Sequence, residues 1–225
     1  MPREKLDQLI HNLKDEMIVL ASMVETATLK AVEALKNRDS TAAHEVIDGD
    51  QVINQKRFEI ENECIIIIAT QQPIMATDLR TMASILEVTS EIERMGDYAK
   101  GIARVTIKYG DEPLVKPLID IPRMADQAVN MLHRAIGAFV DGDLELARAI
   151  PKEDDIVDQL YNDVYHELVS YMLNDPTTID RANYLMWAAH NLERLADRVT
   201  NICERTVYNR TGQLIELAGS DDEMK

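Results

Sequence analysis

An internal duplication constrains the fold of this chain more than any other feature of its sequence. Apolar residues recur every three or four positions over nearly all of its 225 residues, which predicts amphipathic helices throughout. The segment 50–54 (DQVIN) recurs 104 positions later as 154–158 (DDIVD), and 93–97 (ERMGD) recurs 100 positions later as 193–197 (ERLAD). A repeat of this size indicates two related units. The predicted fold class is all-α, with two tandem, pseudo-symmetric antiparallel three-helix bundles and six helices.

Helix-breaking residues divide each unit into its helices. The first helix carries its apolar stripe from Leu6 to Leu35, and Asp39 or Ser40 can cap the next one. Further helices are predicted over 41–71, 76–109, 122–140, 144–173 and 179–209, and a bend near Gly49 is compatible with the second helix. Leu79 and Ile156 are among the positions that the apolar spacing places toward the core.

Glycine and proline concentrate between positions 110 and 122, which marks the boundary between the units. The first bundle is predicted to cover 1–110 and the second 117–215. Residues 216–225 contain Asp221, Asp222 and Glu223, and are predicted to form a frayed acidic tail.

Charge excludes several classes of partner. Asp and Glu number 40 against 24 Lys and Arg, giving a formal net charge of −16. Nucleic acid and anionic lipid would repel such a surface, so membrane attachment is expected only through protein partners.

Other features of the sequence favour a cytoplasmic location. The longest apolar run, Cys64–Ala69, is far too short to cross a bilayer, and the first residues lack the apolar core of a signal peptide. Two isolated cysteines, Cys64 and Cys203, also favour a cytoplasmic protein with reduced thiols.

Acidic residues stand one helical turn apart at equivalent places in both halves. Glu193 pairs with Asp197, and Asp154 with Asp158; the first half has Glu93 with Asp97, and Asp50 with Asn54. Like charges at this spacing repel by a few tenths of a kcal/mol, and a bound cation would reverse that sign. Carboxylate oxygens suit Mg²⁺, Mn²⁺, Ca²⁺ or iron. A solvated acidic face is the simpler alternative, and Arg94 can pair with Glu91 without any metal.

Several segments resemble the signature sequences of the PhoU family. They are 78–80 (DLR), 92–98 (IERMGDY) and 191–204 (NLERLADRVTNICE), with further similarity at 49–54, 72–73 and 131–139. The resemblance implies a cytoplasmic negative regulator of the phosphate-starvation response that also modulates phosphate uptake. It implies contact with the ATPase subunit of the phosphate ABC transporter and with the phosphate sensor histidine kinase. It also implies a homodimer, and multinuclear metal clusters bound through the acidic motifs.

Metal ligands carried over from this resemblance number seven in the two halves. They are Asp50, Glu93 and Asp97 in the first bundle, and Asp154, Asp158, Glu193 and Asp197 in the second. Asn54 stands where the second half has Asp158, and Arg104 stands where it has Glu204. The first bundle therefore has fewer anionic ligands, and no organic cofactor is expected.

A carboxylate-bridged iron or manganese enzyme, or a metal-storage bundle, is the main alternative. Such bundles use a Glu-x-x-His motif, which the chain lacks; the nearest match is Asp163-x-x-His166. His190 is interpreted as an interhelical polar contact. No nucleophile pair or glycine-rich phosphate loop is found, so an enzyme is not predicted. A helical adaptor whose acidic pairs serve only solubility also stays open.

Overall fold

Within residues 2–217, which the computed structural model describes, the chain folds into helices without any strand. The first bundle consists of α1 (Pro2–Asn37), α2 (Ser40–Thr70) and α3 (Ala76–Tyr109). The second consists of α4 (Asp120–Asp141), α5 (Leu144–Ala149), α6 (Asp154–Asn174) and α7 (Ile179–Thr211). The predicted fold class of two tandem helical bundles is confirmed.

The connection between the first and second helices has the same structure in both bundles. Asp39 caps α2 by accepting a hydrogen bond from the Ala42 amide at 2.9 Å. Asp143 caps α5 by accepting one from the Leu146 amide at 3.0 Å. The residue before each cap has a positive φ, 57° at Arg38 and 69° at Gly142. The same cap therefore begins the second helix of both bundles.

The second helical segment differs between the bundles. The single helix predicted over 144–173 is wrong, because a 3₁₀ turn over Ile150–Glu153 divides it into α5 and α6. Pro151 lies in this turn, and proline has no N–H to donate to a continuing helix. In the first bundle, α2 continues through Gly49 without interruption.

Two predicted core positions are also wrong. Ile156 is 51% exposed while its neighbour Val157 is fully buried, and Leu79 is exposed while its neighbour Asp78 is buried. Arg3 Nη1 donates a hydrogen bond to Oδ2 of the buried Asp78 carboxylate at 2.5 Å.

The long helices α3 and α7 form the centre of the molecule. α3 packs on α1 and α2, α7 packs on α4, α5 and α6, and the two cross each other in antiparallel order. Asn201 donates to Glu91 at 3.0 Å, and Arg198 donates to the Tyr98 hydroxyl at 3.4 Å across this seam. The buried side chains of both bundles belong to one continuous apolar core.

The connections outside the helices are held by side chains. Between the bundles, Tyr109 donates to the Pro113 carbonyl at 3.2 Å and accepts from the Val115 amide at 3.0 Å. After α7, Leu217 packs against the core and its amide donates to Glu204 at 2.9 Å. The rest of the predicted acidic tail, 218–225, lies outside the described residues. No helix among the described residues has the length and apolarity needed to span a membrane.

Candidate metal centre

Two acidic side chains of the first bundle, the buried Asp50 and the half-buried Glu93, lie beside basic side chains of the same bundle. Asp50, on α2, is only 4% exposed, and its Oδ2 accepts a hydrogen bond from Lys100 Nζ at 2.5 Å. Glu93, on α3, has Oε2 3.4 Å from Nη1 of Arg57. Burial raises the pKa of Glu93, and the positive charge of Arg57 partly offsets that rise. The bundle therefore supplies its own cations to these two carboxylates.

The four acidic positions of the second bundle are brought together at the α6–α7 interface. Asp154 begins α6 and Asp158 follows one turn later, while Glu193 and Asp197 lie one turn apart on α7. Burial raises the pKa of Asp154 to about 7, and the charges of Asp158, Asp197 and Glu193 add to the shift. Burial also raises the pKa of Glu193 to about 7, with further contributions from Asp197 and Asp158. The four carboxylates therefore interact electrostatically.

Two residue differences between the halves explain the contrast. The positions of Arg57 and Lys100 in the first half are occupied by Tyr161 and Thr200 in the second. Neither replacement carries a positive charge. Burial and the nearby Glu193 charge instead raise the pKa of the Tyr161 hydroxyl. The second cluster therefore keeps its acidic residues without the two cations that serve the first.

Two carboxylate oxygens of the second cluster are buried without a hydrogen-bond donor from residues 2–217, namely Asp154 Oδ1 and Glu193 Oε2. Nδ1 of His190 approaches Glu193 Oε2 to 3.1 Å, but the contact lacks hydrogen-bonding geometry. The His190 ring also contacts the Tyr161 ring of α6, with centroids 6.1 Å apart, which agrees with its interpretation as an interhelical contact. An unsatisfied buried acceptor costs about 1–3 kcal/mol, and a proton or a cation would remove that cost.

The chemistry of the second cluster suits a hard cation, because all four side chains offer carboxylate oxygens. As they stand, however, no three or more His, Cys, Asp or Glu side chains in the described chain are gathered closely enough to hold a metal ion. The cluster thus has the donor type, the burial and the surplus charge for a cation, but its oxygens do not converge on one point. The metal sites inferred from the sequence stay predictions.

Other candidate residues lie apart from this cluster. Asp97 is exposed on α3, although its charge still raises the pKa of Glu93. Glu204 accepts a hydrogen bond from the Leu217 amide and so holds the segment that follows α7.

The two cysteines, Cys64 and Cys203, are free and buried, and burial raises the pKa of each thiol to about 12. Thiols in this state are poor nucleophiles and poor metal ligands.

Sequence reasoning missed the roles of Arg57 and Lys100. It did anticipate the Arg94–Glu91 ion pair, which is present at 2.8 Å, because both residues lie on one helix. Arg57 and Lys100 reach carboxylates on a neighbouring helix, which spacing along one helix does not reveal. A position-by-position comparison of the repeats would have shown that both bases are lost in the second half.

Comparison with protein-family models gives one family. The PhoU domain matches this chain twice, over residues 17–106 and 121–206. The two matches fall on the two bundles described above.

Curated proteins and solved structures agree with this match. The PhoU homolog of Aquifex aeolicus, described as a phosphate-specific transport system accessory protein, is 37% identical over 94% of this chain and 96% of its own. The corresponding PhoU of Escherichia coli is 32% identical over 95% of this chain and 88% of its own. The crystal structure of the phosphate transport system regulatory protein PhoU from Streptococcus pneumoniae has a TM-score of 0.86 at 30% identity, covering 93% of this chain and 99% of that one.

Proposed function

The chain belongs to the PhoU family, and on that premise we propose that it is an accessory protein that regulates phosphate-specific transport. The observation that carries the proposal is the extent of the match, which includes both bundles in order. The alternative of a carboxylate-bridged iron or manganese enzyme or storage protein is not favoured, since the named relatives are accessory proteins and the chain has no Glu-x-x-His motif. We assign no catalytic role to any residue.

The proposed mode of action is protein contact in the cytoplasm. The protein would act as a negative regulator of the phosphate-starvation response, in contact with the ATPase subunit of the phosphate ABC transporter and with the phosphate sensor histidine kinase. A regulator that binds one state of the first partner and thereby changes its affinity for the second couples them by a shift in population. The net charge of −16 supports protein partners over nucleic acid or bare anionic membrane. We also propose that the protein is a homodimer.

A divalent or trivalent cation is proposed as part of this function. Asp154, Asp158, Glu193 and Asp197 would hold it, with the buried oxygens of Asp154 and Glu193 as the main supporting observation. Mg²⁺, Mn²⁺, Ca²⁺ and iron share the required preference for oxygen. We propose weaker binding at the first-bundle positions Asp50, Glu93 and Asp97, because a cation there would compete with Lys100 and Arg57.

The regulatory role is tested in a strain that lacks the gene. Phosphate-regulated reporter genes are expected to become active in high phosphate, and the wild-type chain should silence them again. Co-purification is expected with the transporter ATPase subunit and with the kinase. Reporters that stay silent in the deletion strain would show that the regulatory role is wrong.

The cation is tested by moving the first bundle's bases into the second. The variant Tyr161→Arg/Thr200→Lys should supply internal cations to the second cluster and lower its metal content at least tenfold in protein purified without chelator. The matched control, Arg57→Tyr/Lys100→Thr, should raise metal content in the first bundle. Equal metal content in the wild type and the first variant, measured by elemental analysis, would contradict the assignment.

A further inference from the structure

An open apolar groove runs between α1 and α2 of the first bundle. It has a volume of about 570 Å³, and we call it the α1–α2 groove; its lining includes Ile18, Val19, Met23, Gly49 and Val52. Ile18, Val19 and Val52 are between 43% and 59% exposed, so the groove presents apolar side chains to solvent. A Cβ atom at Gly49 would meet no heavy atom within 4 Å, which shows that the space above this glycine is open.

The same place in the second bundle is closed. The equivalents of Gly49, Met23 and Lys30, 104 positions later, are Glu153, Gln127 and Arg134. Arg134 Nη1 lies 2.7 Å from both carboxylate oxygens of Glu153, and Gln127 Nε2 donates to Glu153 at 3.3 Å. One bundle thus fills the position with a hydrogen-bonded ion pair, while the other leaves it empty and apolar.

The shape of the groove fits a helix. Its α1 wall extends from Ile18 to Lys30, about 18 Å at the rise of an α-helix, which equals about three turns of a partner helix. An amphipathic helix that lays its apolar face between two helices is a common recognition mode. At one end, the Lys56–Glu16 ion pair joins α2 to α1 and closes the groove.

The charges beside the groove select the partner. Glu45 and Lys30 line it with opposite charges, Asp48 is exposed one turn from Glu45 on α2, and the whole chain carries a net charge of −16, so the surroundings of the groove are acidic. A second copy of the chain would bring the same acidic surplus, and the chain's own end carries Asp221, Asp222 and Glu223. This acidic surplus favours a partner that carries Lys or Arg beside its apolar face.

We propose that the α1–α2 groove docks an amphipathic helix, apolar on one face and flanked by Lys or Arg, that belongs to a protein partner in phosphate transport or sensing. This inference rests on the proposed regulatory function and assigns a surface to it. The second bundle, closed by the Glu153 ion pair, does not offer an equivalent site.

The test copies the second bundle's closure into the first. The closing variant is Gly49→Glu/Met23→Gln/Lys30→Arg. Space for the glutamate is present, and replacing a mid-helix glycine favours the helix, so the variant should fold. Val52→Glu is a second disrupting variant. Its matched control is Ile156→Glu, which adds the same charge at the equivalent, similarly exposed position of the second bundle.

The binding probe is a labelled 18-residue synthetic peptide with Leu on one helical face and Lys on the other, followed by fluorescence anisotropy. Wild type and Ile156→Glu should bind it saturably, while the closing variant and Val52→Glu should bind at least tenfold more weakly. No saturable binding to wild type would overturn the proposal. So would equal binding of the closing variant, or equal binding of a scrambled peptide of the same composition.

The same variants in the deletion strain separate this inference from the proposed function. The closing variant should fail to silence the phosphate-regulated reporters, at unchanged protein abundance and thermal stability. If it silences them like wild type, the docking inference fails and the regulatory role stands. If the deletion strain never activates them, the regulatory role fails first. Loss of self-association in the closing variant, seen by sedimentation velocity, would assign the groove to a second copy and overturn the proposal.

Discussion

At the scale of single residues, the same acidic position has opposite energetic consequences in the two bundles. Asp50 is buried against Lys100, whereas its equivalent Asp154 is half-buried and lies among other carboxylates. The i,i+4 spacing of the acidic pairs was predictable from the sequence, because it depends on one helix only. The cations that satisfy them were not, because they come from a facing helix.

The pH dependence of stability should reveal the second cluster. The pKa of Glu193 is raised from 4.5 to about 7 in the folded protein, so between these values the folded state holds a proton that the unfolded chain has released. Stability therefore falls as the pH rises through this window. In chelator at pH 8, Glu193→Gln should be more stable than wild type by about 1–2 kcal/mol, after allowance for solvent screening at this half-buried site.

At pH 5 the stabilisation by Glu193→Gln should be smaller, because the wild-type carboxyl is then largely protonated in the folded state. Urea denaturation at both pH values measures the difference. A stabilisation that is larger at pH 5 than at pH 8 would contradict the proposed origin of the pKa shift.

Equivalent substitutions in the two bundles should change stability in opposite directions. Asp50→Asn leaves Lys100 in a largely buried place without its carboxylate, and should cost about 1–3 kcal/mol at pH 8. Asp154→Asn removes one of four mutually repelling charges and should stabilise the metal-free protein. Urea denaturation of both variants in chelator tests this pair, and effects of the same sign would count against the contrast between the clusters.

At the scale of helices, most helix boundaries were predictable from the sequence, but the division of the segment 144–173 into α5 and α6 was not. The predicted bounds of α2 and α3 agree with the structure within one residue, because caps and breakers flank both helices. The 3₁₀ turn at Pro151 was missed because the preceding and following apolar spacing is helical. Pairing between α2 and α3 also depends on a close approach at Gly96.

The Gly96 contact predicts a strong coupling between two helices. A Cβ at Gly96 would lie 3.3 Å from Cγ2 of Ile53 on α2, whereas the second bundle has Ala196 and Val157 at these positions. Gly96→Ala should therefore destabilise by about 0.5–1 kcal/mol, despite the higher helix propensity of alanine. In an Ile53→Ala background, which removes both Cγ2 and Cδ1 of Ile53, the same change should be neutral or stabilising.

A double-mutant cycle measured by denaturation gives the coupling energy between positions 96 and 53, expected near 1 kcal/mol. Additive effects of the two substitutions would mean that Ile53 does not limit the approach of α2 to α3.

At the scale of the whole molecule, the two bundles share one core through α3 and α7. A division into two bundles was predictable from the duplication, but the seam between them was not. The seam residues lie on helices that are distant in sequence, such as Glu91 and Asn201. Because the apolar core is continuous, unfolding one bundle would expose to water apolar side chains of the other.

Unfolding should accordingly be a single cooperative transition. The one tryptophan, Trp187, lies on α7 and reports on the second bundle, while far-ultraviolet circular dichroism reports on the helices of both. The two signals should give the same midpoint in guanidinium chloride. A circular dichroism transition that precedes or follows the tryptophan signal would show that the bundles unfold separately.

The seam is itself nearly two-fold symmetric. Tyr98 contacts Arg198, the residue at the equivalent position of the second repeat. The Glu91–Asn201 contact likewise has its counterpart in the close approach of Asn191 to Gly101. Two separate single-bundle chains could meet through such a seam only by bimolecular association, which weakens on dilution. Joining them through residues 110–119 fixes an effective local concentration of the order of millimolar for a short linker. The pairing of the bundles is then independent of how many copies a cell makes, and copy number affects only the encounters of this protein with other molecules.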